Sequence, residues 1–311
     1  MTKIALVFPG QGAQAVGMAK ELYDNFSQAK QVFDSANDVL GFDLKKIVFE
    51  GPEETLRQTQ YTQPAIFAAS MAAFNVFAGS FNISDAAAAG HSLGEYSAMA
   101  AAGVFNLNDG FKLVKARGEF IQAASQKNPG TMAAIIGLDN GKINEICKNS
   151  GGVCEAVNFN SPGQIVIAGA SEAVSKTVAL ATEAGAAKAI VLNVSGPFHS
   201  SLMTPAADMM GEELRKYNFN NPKFPVYTNC DAKANSDASA IAGKLVRQIN
   251  NPVLWEQIIR NMISEGYSVF IEIGPGRVLS GLLRRIDKGV KSLNIEDSKS
   301  LEKTIAELSK N

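Results

Sequence analysis

The sequence predicts an α/β fold: a large domain on a parallel sheet, interrupted in mid-chain by a smaller domain. Three observations point there. Apolar runs such as 4–8 end in glycine turns and lead into helix-length segments, the pattern of strands buried on both faces of a parallel sheet. Between about residues 130 and 195 the rhythm changes to β-α-β-β-α-β. The length of 311 residues suits about two domains.

In order, the strand 4–8 is closed by Pro9-Gly10, and a helical stretch over 17–40 is ended by Gly41. Thr62-Gln63-Pro64 opens a helix to about 78, with Pro64 near the first turn, where proline is tolerated. The run 86–89 leads into Gly90-His91-Ser92-Leu93-Gly94 as a strand, against the helix propensity of its alanines, and a helix follows to about 103. Asp109 is read as the N-cap of a helix to about 125. The middle segment gives strands at 132–138, 153–158, 164–170 and 187–194, with helices at 142–149 and 172–185. That order is the split βαβ of a ferredoxin-like domain, flanked by Asn128-Pro129-Gly130 and Ser195-Gly196-Pro197. The expected division is therefore 1–127 with 197–311 as the large domain and 128–196 as the insert. Helices at 202–217, 238–249 and 252–265 and strands at 225–228 and 268–273 follow, and after Gly274-Pro275-Gly276 a helix runs to about 286.

Hydrophobic residues make up 46% of the chain and charged ones 19%, which excludes a disordered or fibrous protein. With 29 basic and 30 acidic residues, no global charge pulls the chain toward nucleic acid or an anionic membrane. No apolar stretch reaches a membrane span, and the N-terminal run from Met1 is too short for a signal peptide. Cys147, Cys154 and Cys230 are odd in number and lack CxxC spacing, which suits a reducing compartment and argues against a zinc site. A soluble cytoplasmic protein is expected.

Gly90–Gly94 fits G-x-S-x-G, in which a tight strand-to-helix turn projects a serine at a helix N-terminus. The bland alternative is a turn with a buried serine. A serine nucleophile needs a base, and the chain has two histidines. His91 adjoins Ser92 and points elsewhere through the turn. His199, in a loop entering a helix, is the candidate base, with a backbone carbonyl as its orienting partner since no carboxylate stands out. On the 109–125 helix, Leu113, Val114, Phe120, Ile121 and Ala124 share one arc, and Arg117 falls at its centre. Either a protein carboxylate pairs with it, or its stem snorkels, or it clamps a substrate anion. The turn Pro9–Gln14 lacks the Lys-Ser/Thr of a P-loop and has Ala15 where a third glycine would be needed for dinucleotide binding. It places backbone N–H groups at a strand's carboxyl end. Gly274-Pro275-Gly276 is read as structural.

These motifs together resemble the bacterial malonyl-CoA:acyl-carrier-protein transacylases of type II fatty acid synthesis. The resemblance runs over nearly the whole chain: FPGQGAQ from Phe8, GHSLGEYSA from Gly90, KARGEF around Arg117, AAIIGLD from Ala133, VNFNSPGQIVIAG from Val157, GPFHSSLM from Gly196, LVRQINNPVLW from Leu245 and EIGPGRVLSGL from Glu272. It implies a hydrolase-like large domain with a ferredoxin-like insert, and transfer of malonyl from coenzyme A to acyl carrier protein by a ping-pong route. Ser92 would be acylated, His199 the base, and the main-chain carbonyl of Gln248 its orienting group. The N–H groups of Gln11 and Leu93 would form the oxyanion hole, and Arg117 would pair with the malonyl carboxylate. His91, Asn160 and Phe198 would line the substrate cleft. No cofactor is implied beyond the coenzyme A thioester substrate, no metal, and a monomer. Arg284, Arg285 and Lys288 are read as a solvated helix face, the alternative being a contact with an acidic carrier helix.

Overall fold

A computed structural model describes residues 3–310. Met1 and Thr2, the start of the segment weighed above as a signal peptide, lie outside the described residues, as does Asn311. The described strands are β1 (Lys3–Phe8), β2 (Ala87–Gly90), β3 (Thr131–Ile136), β4 (Cys154–Ser161), β5 (Gln164–Gly169), β6 (Lys188–Val191), β7 (Val226–Tyr227), β8 (Ala234–Asn235), β9 (Tyr267–Ile273) and β10 (Lys291–Ile295). The fold is α/β. One sheet has the order β10-β9-β1-β2-β7-β8, parallel except for β8 on its edge. Successive residues of β1 face opposite sides: Leu6 and Phe8 pack with helices Thr59–Ser80 and Leu107–Lys127, Ala5 and Val7 with Trp255–Ser264 and Val278–Ile286. Burial on both faces explains why β1 reads as an unbroken apolar run.

The second sheet, β4-β5-β3-β6, is antiparallel throughout. Helices Asn140–Lys148 and Ser171–Glu183 cover one face through Ile143, Ile146, Ala173 and Val174. The opposite face carries Met132, Val157, Val166 and Ala168, packed by Val194 and Phe198. Val253 ties the two sheets' surroundings by backbone: its N–H donates to Val157 O at 2.8 Å and its carbonyl accepts from Phe159 N at 3.0 Å. Among the described residues no helix is long and apolar enough to cross a membrane.

Several boundaries differ from expectation. The 17–40 stretch is two helices, Lys20–Asn25 and Ser27–Leu40, because Phe26 is extended. Helix Thr59–Ser80 starts earlier than expected and carries Pro64 inside it. Asn106, not Asp109, caps Leu107–Lys127: its side chain accepts from Asp109 N. β2 forms despite its alanines: it is buried on both faces, Ala88 toward the following helix and Ala87 and Ala89 toward Trp255 and Ile258, where small side chains fit. The 202–217 segment begins as a 3₁₀ turn, Ser201–Met203, before Thr204–Leu214. Helices Leu44–Phe49 and Glu53–Leu56, strands β8 and β10, and helix Ser298–Leu308 had no counterpart in the sequence reading.

Candidate active site

The turn after β2 is shaped by close backbone approach. A Cβ on Gly90 would lie 1.9 Å from the carbonyl of Gly94, and one on Gly94 would lie 2.1 Å from Phe8 O. A Cβ on Gly10 would lie 2.3 Å from His91 O, so the loop after β1 is pressed against the same turn. Ser92 between them has φ 52, a conformation most side chains avoid. Helix Gly94–Ala101 begins just beyond Leu93. Among the described residues the N–H groups of Gln11 and Leu93 donate to no protein acceptor in these turns.

His199 comes from the loop that leaves the antiparallel sheet, and it too has positive φ, 63. Its Nε2 lies 2.8 Å from Ser92 Oγ, and its Nδ1 lies 2.8 Å from the main-chain oxygen of Gln248. A carbonyl only accepts, so Nδ1 carries the proton and Nε2 presents its lone pair to the serine hydroxyl. Burial, reinforced by the Arg117 charge nearby, lowers the His199 pKa to about 3, so the imidazole is neutral at ordinary pH.

Arg117 is 2% exposed. Its Nη1 donates to Gln63 Oε1 at 2.8 Å, and its Nη2 donates to Gln248 Oε1 at 3.0 Å and to Ser92 Oγ at 3.2 Å. All three acceptors are neutral, Nε is buried without a partner, and the guanidinium lies 5.5 Å from the Tyr96 ring centroid. This removes both the direct ion pair and the snorkelling stem as accounts of the arginine, and leaves a desolvated cation beside the serine.

Ser92, His199 and Arg117 line a cavity of about 110 Å³ together with Gln11, His91 and Phe198. Met132, Leu192 and Val194 close it from the open face of the antiparallel sheet. Asn160 reaches this cavity only through His91, whose Nε2 lies 2.8 Å from its Oδ1; Asn158 lines the wall instead. The His91 ring also meets Trp255 edge-on, and burial lowers its pKa. Of the basic trio, Arg284 and Lys288 are exposed and Arg285 donates to Gln164 Oε1 at 2.6 Å. Gly274, with φ 130, packs on Pro9 and so supports the β1 loop.

Four participants were missed from sequence: Gln63, Glu95, Asn229 and the side chain of Gln248. Glu95 offered a signal of the kind Arg117 gave, a charge inside the small and apolar run from Leu93 to Ala102. Asn229, two residues past the two-residue strand β7, offered none.

Comparison with known proteins agrees with this geometry. The family described as acyl transferase domain matches residues 5–311. The malonyl CoA-acyl carrier protein transacylase of Haemophilus influenzae is 45% identical over 300 residues, covering 96% of each chain. That of Bacillus subtilis is 42% identical over 311 residues, covering 99% of this chain and 98% of the relative. The crystal structure of acyl-carrier-protein-S-malonyltransferase from Bartonella henselae superposes with a TM-score of 0.96 at 41% identity over 99% of both chains. A malonyl-transacylase solved in complex with its type II PKS acyl-carrier protein gives 0.95 at 44% identity over 100% of both. With a model match from residue 5 to the end of the chain and relatives above 40% identity along nearly its whole length, the chain belongs to the acyl transferase domain family.

Proposed function

We propose that this chain moves a malonyl group from coenzyme A to the phosphopantetheine thiol of an acyl carrier protein in fatty acid synthesis, through a malonyl ester on Ser92. One observation carries the reading: a serine hydroxyl shared between a neutral histidine Nε2 at 2.8 Å and a buried arginine at 3.2 Å that has no carboxylate partner of its own. The names of the relatives and the carrier protein bound to one solved neighbour support the substrate and the acceptor.

In the proposed cycle, Ser92 Oγ attacks the thioester carbon while its proton passes to His199 Nε2. The N–H groups of Gln11 and Leu93 receive the developing oxyanion; a donor of this kind is typically worth about 10²–10³ in rate. The intermediate collapses, the C–S bond breaks, and coenzyme A leaves with the proton from His199. The carrier thiol then attacks the ester, gives its proton to His199, and Ser92 Oγ recovers it as the malonyl thioester departs. The residues of the chain supply these steps without a cofactor.

Arg117 selects the acyl group in two ways. A malonyl carboxylate satisfies donors that an acetyl group leaves unpaired in a desolvated site. It also cancels the cation that opposes a charge on His199, so the base works best when the correct substrate is bound.

The same reading treats 1–127 with 197–311 as a hydrolase-like domain and 128–196 as a ferredoxin-like insert whose open face roofs the site. The β4-β5-β3-β6 order and its two covering helices support the second name. A cytoplasmic monomer is proposed on the three free cysteines and the family resemblance.

The test is intact mass after mixing with malonyl-CoA alone, repeated with Ser92→Ala and with acetyl-CoA. A persistent malonyl adduct that needs Ser92 and forms far more slowly from acetyl-CoA is expected. Release of coenzyme A with no adduct would make the chain a hydrolase and overturn the transfer reading.

A further inference from the structure

We infer that Glu95 is a positioning residue that holds the serine nucleophile and the arginine clamp from a single buried oxygen. The inference rests on the malonyl-transfer reading and adds a residue to it. Glu95 is fully buried at the start of helix Gly94–Ala101, below the floor of the cavity and outside its lining. Its Oε2 accepts from Asn229 N at 2.8 Å and from Gln248 Nε2 at 3.0 Å.

Each partner then reaches the reacting groups. Asn229 Oδ1 accepts from Ser92 N at 2.8 Å, and its Nδ2 donates to Gly90 O at 2.7 Å. Gln248 Nε2 donates to Ser92 O at 2.8 Å, and its Oε1 accepts from Arg117 Nη2 at 3.0 Å. Both sides of the Ser92 backbone, held at φ 52, are therefore clamped by side chains tied to one carboxylate. The same carboxylate fixes which way the Gln248 amide points. Its oxygen must face Arg117, because its nitrogen is engaged by Glu95 and Ser92 O. Reversing that amide would set N–H against guanidinium. Burial raises the Glu95 pKa to about 7, and Oε1, which has no partner, can take the proton without breaking either bond at Oε2.

The experiment compares rates of malonyl-serine formation and of acetyl-serine formation, by intact mass, in the full chain and in variants whose folding is checked by thermal melt. Wild type must load malonyl; if it does not, the transfer reading fails and this inference is not what failed. Glu95→Ala should slow malonyl loading by about 10²-fold, the scale of a displacement of about 1 Å at reacting groups. Glu95→Gln, whose amide oxygen can still accept both bonds, should recover at least about tenfold of that loss. The two branches should separate: Asn229→Ala slows both acyl groups alike, and Gln248→Ala slows malonyl more than acetyl. A purely structural Glu95 would lower the melting temperature of Glu95→Ala and leave its malonyl loading rate, measured below that temperature, unchanged. The inference is overturned if folded Glu95→Ala loads at the wild-type rate, or if Glu95→Gln is as slow as Glu95→Ala. Should Glu95→Ala not fold, equal malonyl-to-acetyl ratios in Asn229→Ala and Gln248→Ala would overturn it.

Discussion

Ser92 and His199 both sit in left-handed backbone, with φ 52 and 63, yet the loops that carry them are held by different means. Around Ser92 main chain presses on main chain: Gly90 on Gly94, Gly94 on Phe8 and Gly10 on His91. Those contacts join two neighbouring parallel strands and the helix that follows β2, so relieving one of them means shifting main chain. Around His199 the contacts are side chains. A Cβ on Gly196 would lie 2.0 Å from Ser125 Oγ, Phe198 packs between the large core and the open face of the antiparallel sheet, and the ring is held by Nδ1 on Gln248 O and Nε2 on Ser92 Oγ. The nucleophile is thus placed by the sheet and the base by packing between two sheets.

The largest expected effect tests the rigid side. Gly94→Ala should destabilise the fold by more than about 4 kcal/mol, the range reserved for changes with no room to relax. The check is a denaturant melt; a soluble variant within about 1 kcal/mol of wild type would show that the turn can yield. Arg117→Lys comes next; it leaves the close glycine contacts of both loops in place and alters the donor that reaches Ser92 Oγ. A lysine keeps the charge and loses the planar fork, so malonyl loading should fall by about 10²–10³-fold with the melting temperature nearly unchanged. Stopped-time mass measurement of the malonyl adduct decides it, and an unaltered rate would remove the clamp. Gly196→Ala tests the compliant side. Its added methyl meets Ser125 Oγ, which can turn away, and lies 2.7 Å from Ser125 Cβ, which only a small shift of the loop relieves, so a cost of about 1–3 kcal/mol is expected, with a loss of loading rate larger than the loss of stability would explain. A cost equal to that of Gly94→Ala would abolish the contrast between the two loops.

The same contrast governs what was legible in the sequence. Strands β1, β2 and β9 and their glycine turns announce themselves, because backbone contact demands particular residues at particular positions. Arg117 was visible as a charge on an apolar arc, although periodicity alone left its partner open. The Ser92–His199 pairing followed from there being two histidines in the chain. What escaped was whatever depends on long-range side-chain bonds: Asn229 lies 137 residues from Ser92, and Gln248 lies 153 from Glu95. No local pattern encodes such distances. Helix Ser298–Leu308, absent from the sequence reading, does carry local signals. Asp297 and Ser300 form a capping box there, and Leu301, Thr304 and Leu308 repeat at helical spacing.

The smallest expected effect is an absence. The pKa of His199 is lowered to about 3, first by burial and then by Arg117, so the free enzyme keeps its base neutral as pH falls through 6.5. Since kcat/KM reports groups of the free enzyme, it should stay within about twofold from pH 8 to 5 for malonyl transfer. A tenfold decline centred on pH 6.5 would mean that water reaches the imidazole and that the base loop opens in solution. Stability responds in opposite senses to buried histidine, His199 with His91 beside it, and to buried Glu95. Below pH 6.5 the unfolded chain protonates His199 and the folded one does not, so this group costs stability as pH falls toward 3. Glu95 is raised to about 7, so the folded chain holds a proton that the unfolded chain lacks between about 4.5 and 7; its contribution is full below 4.5 and is lost as pH rises through 7. The two terms offset each other between pH 4.5 and 6.5. Glu95→Gln removes one of them, so its melting temperature should fall as pH drops from 6.5 to 4.5 more steeply than that of wild type. Parallel melting curves would mean that the Glu95 carboxyl is not held above its ordinary pKa by burial.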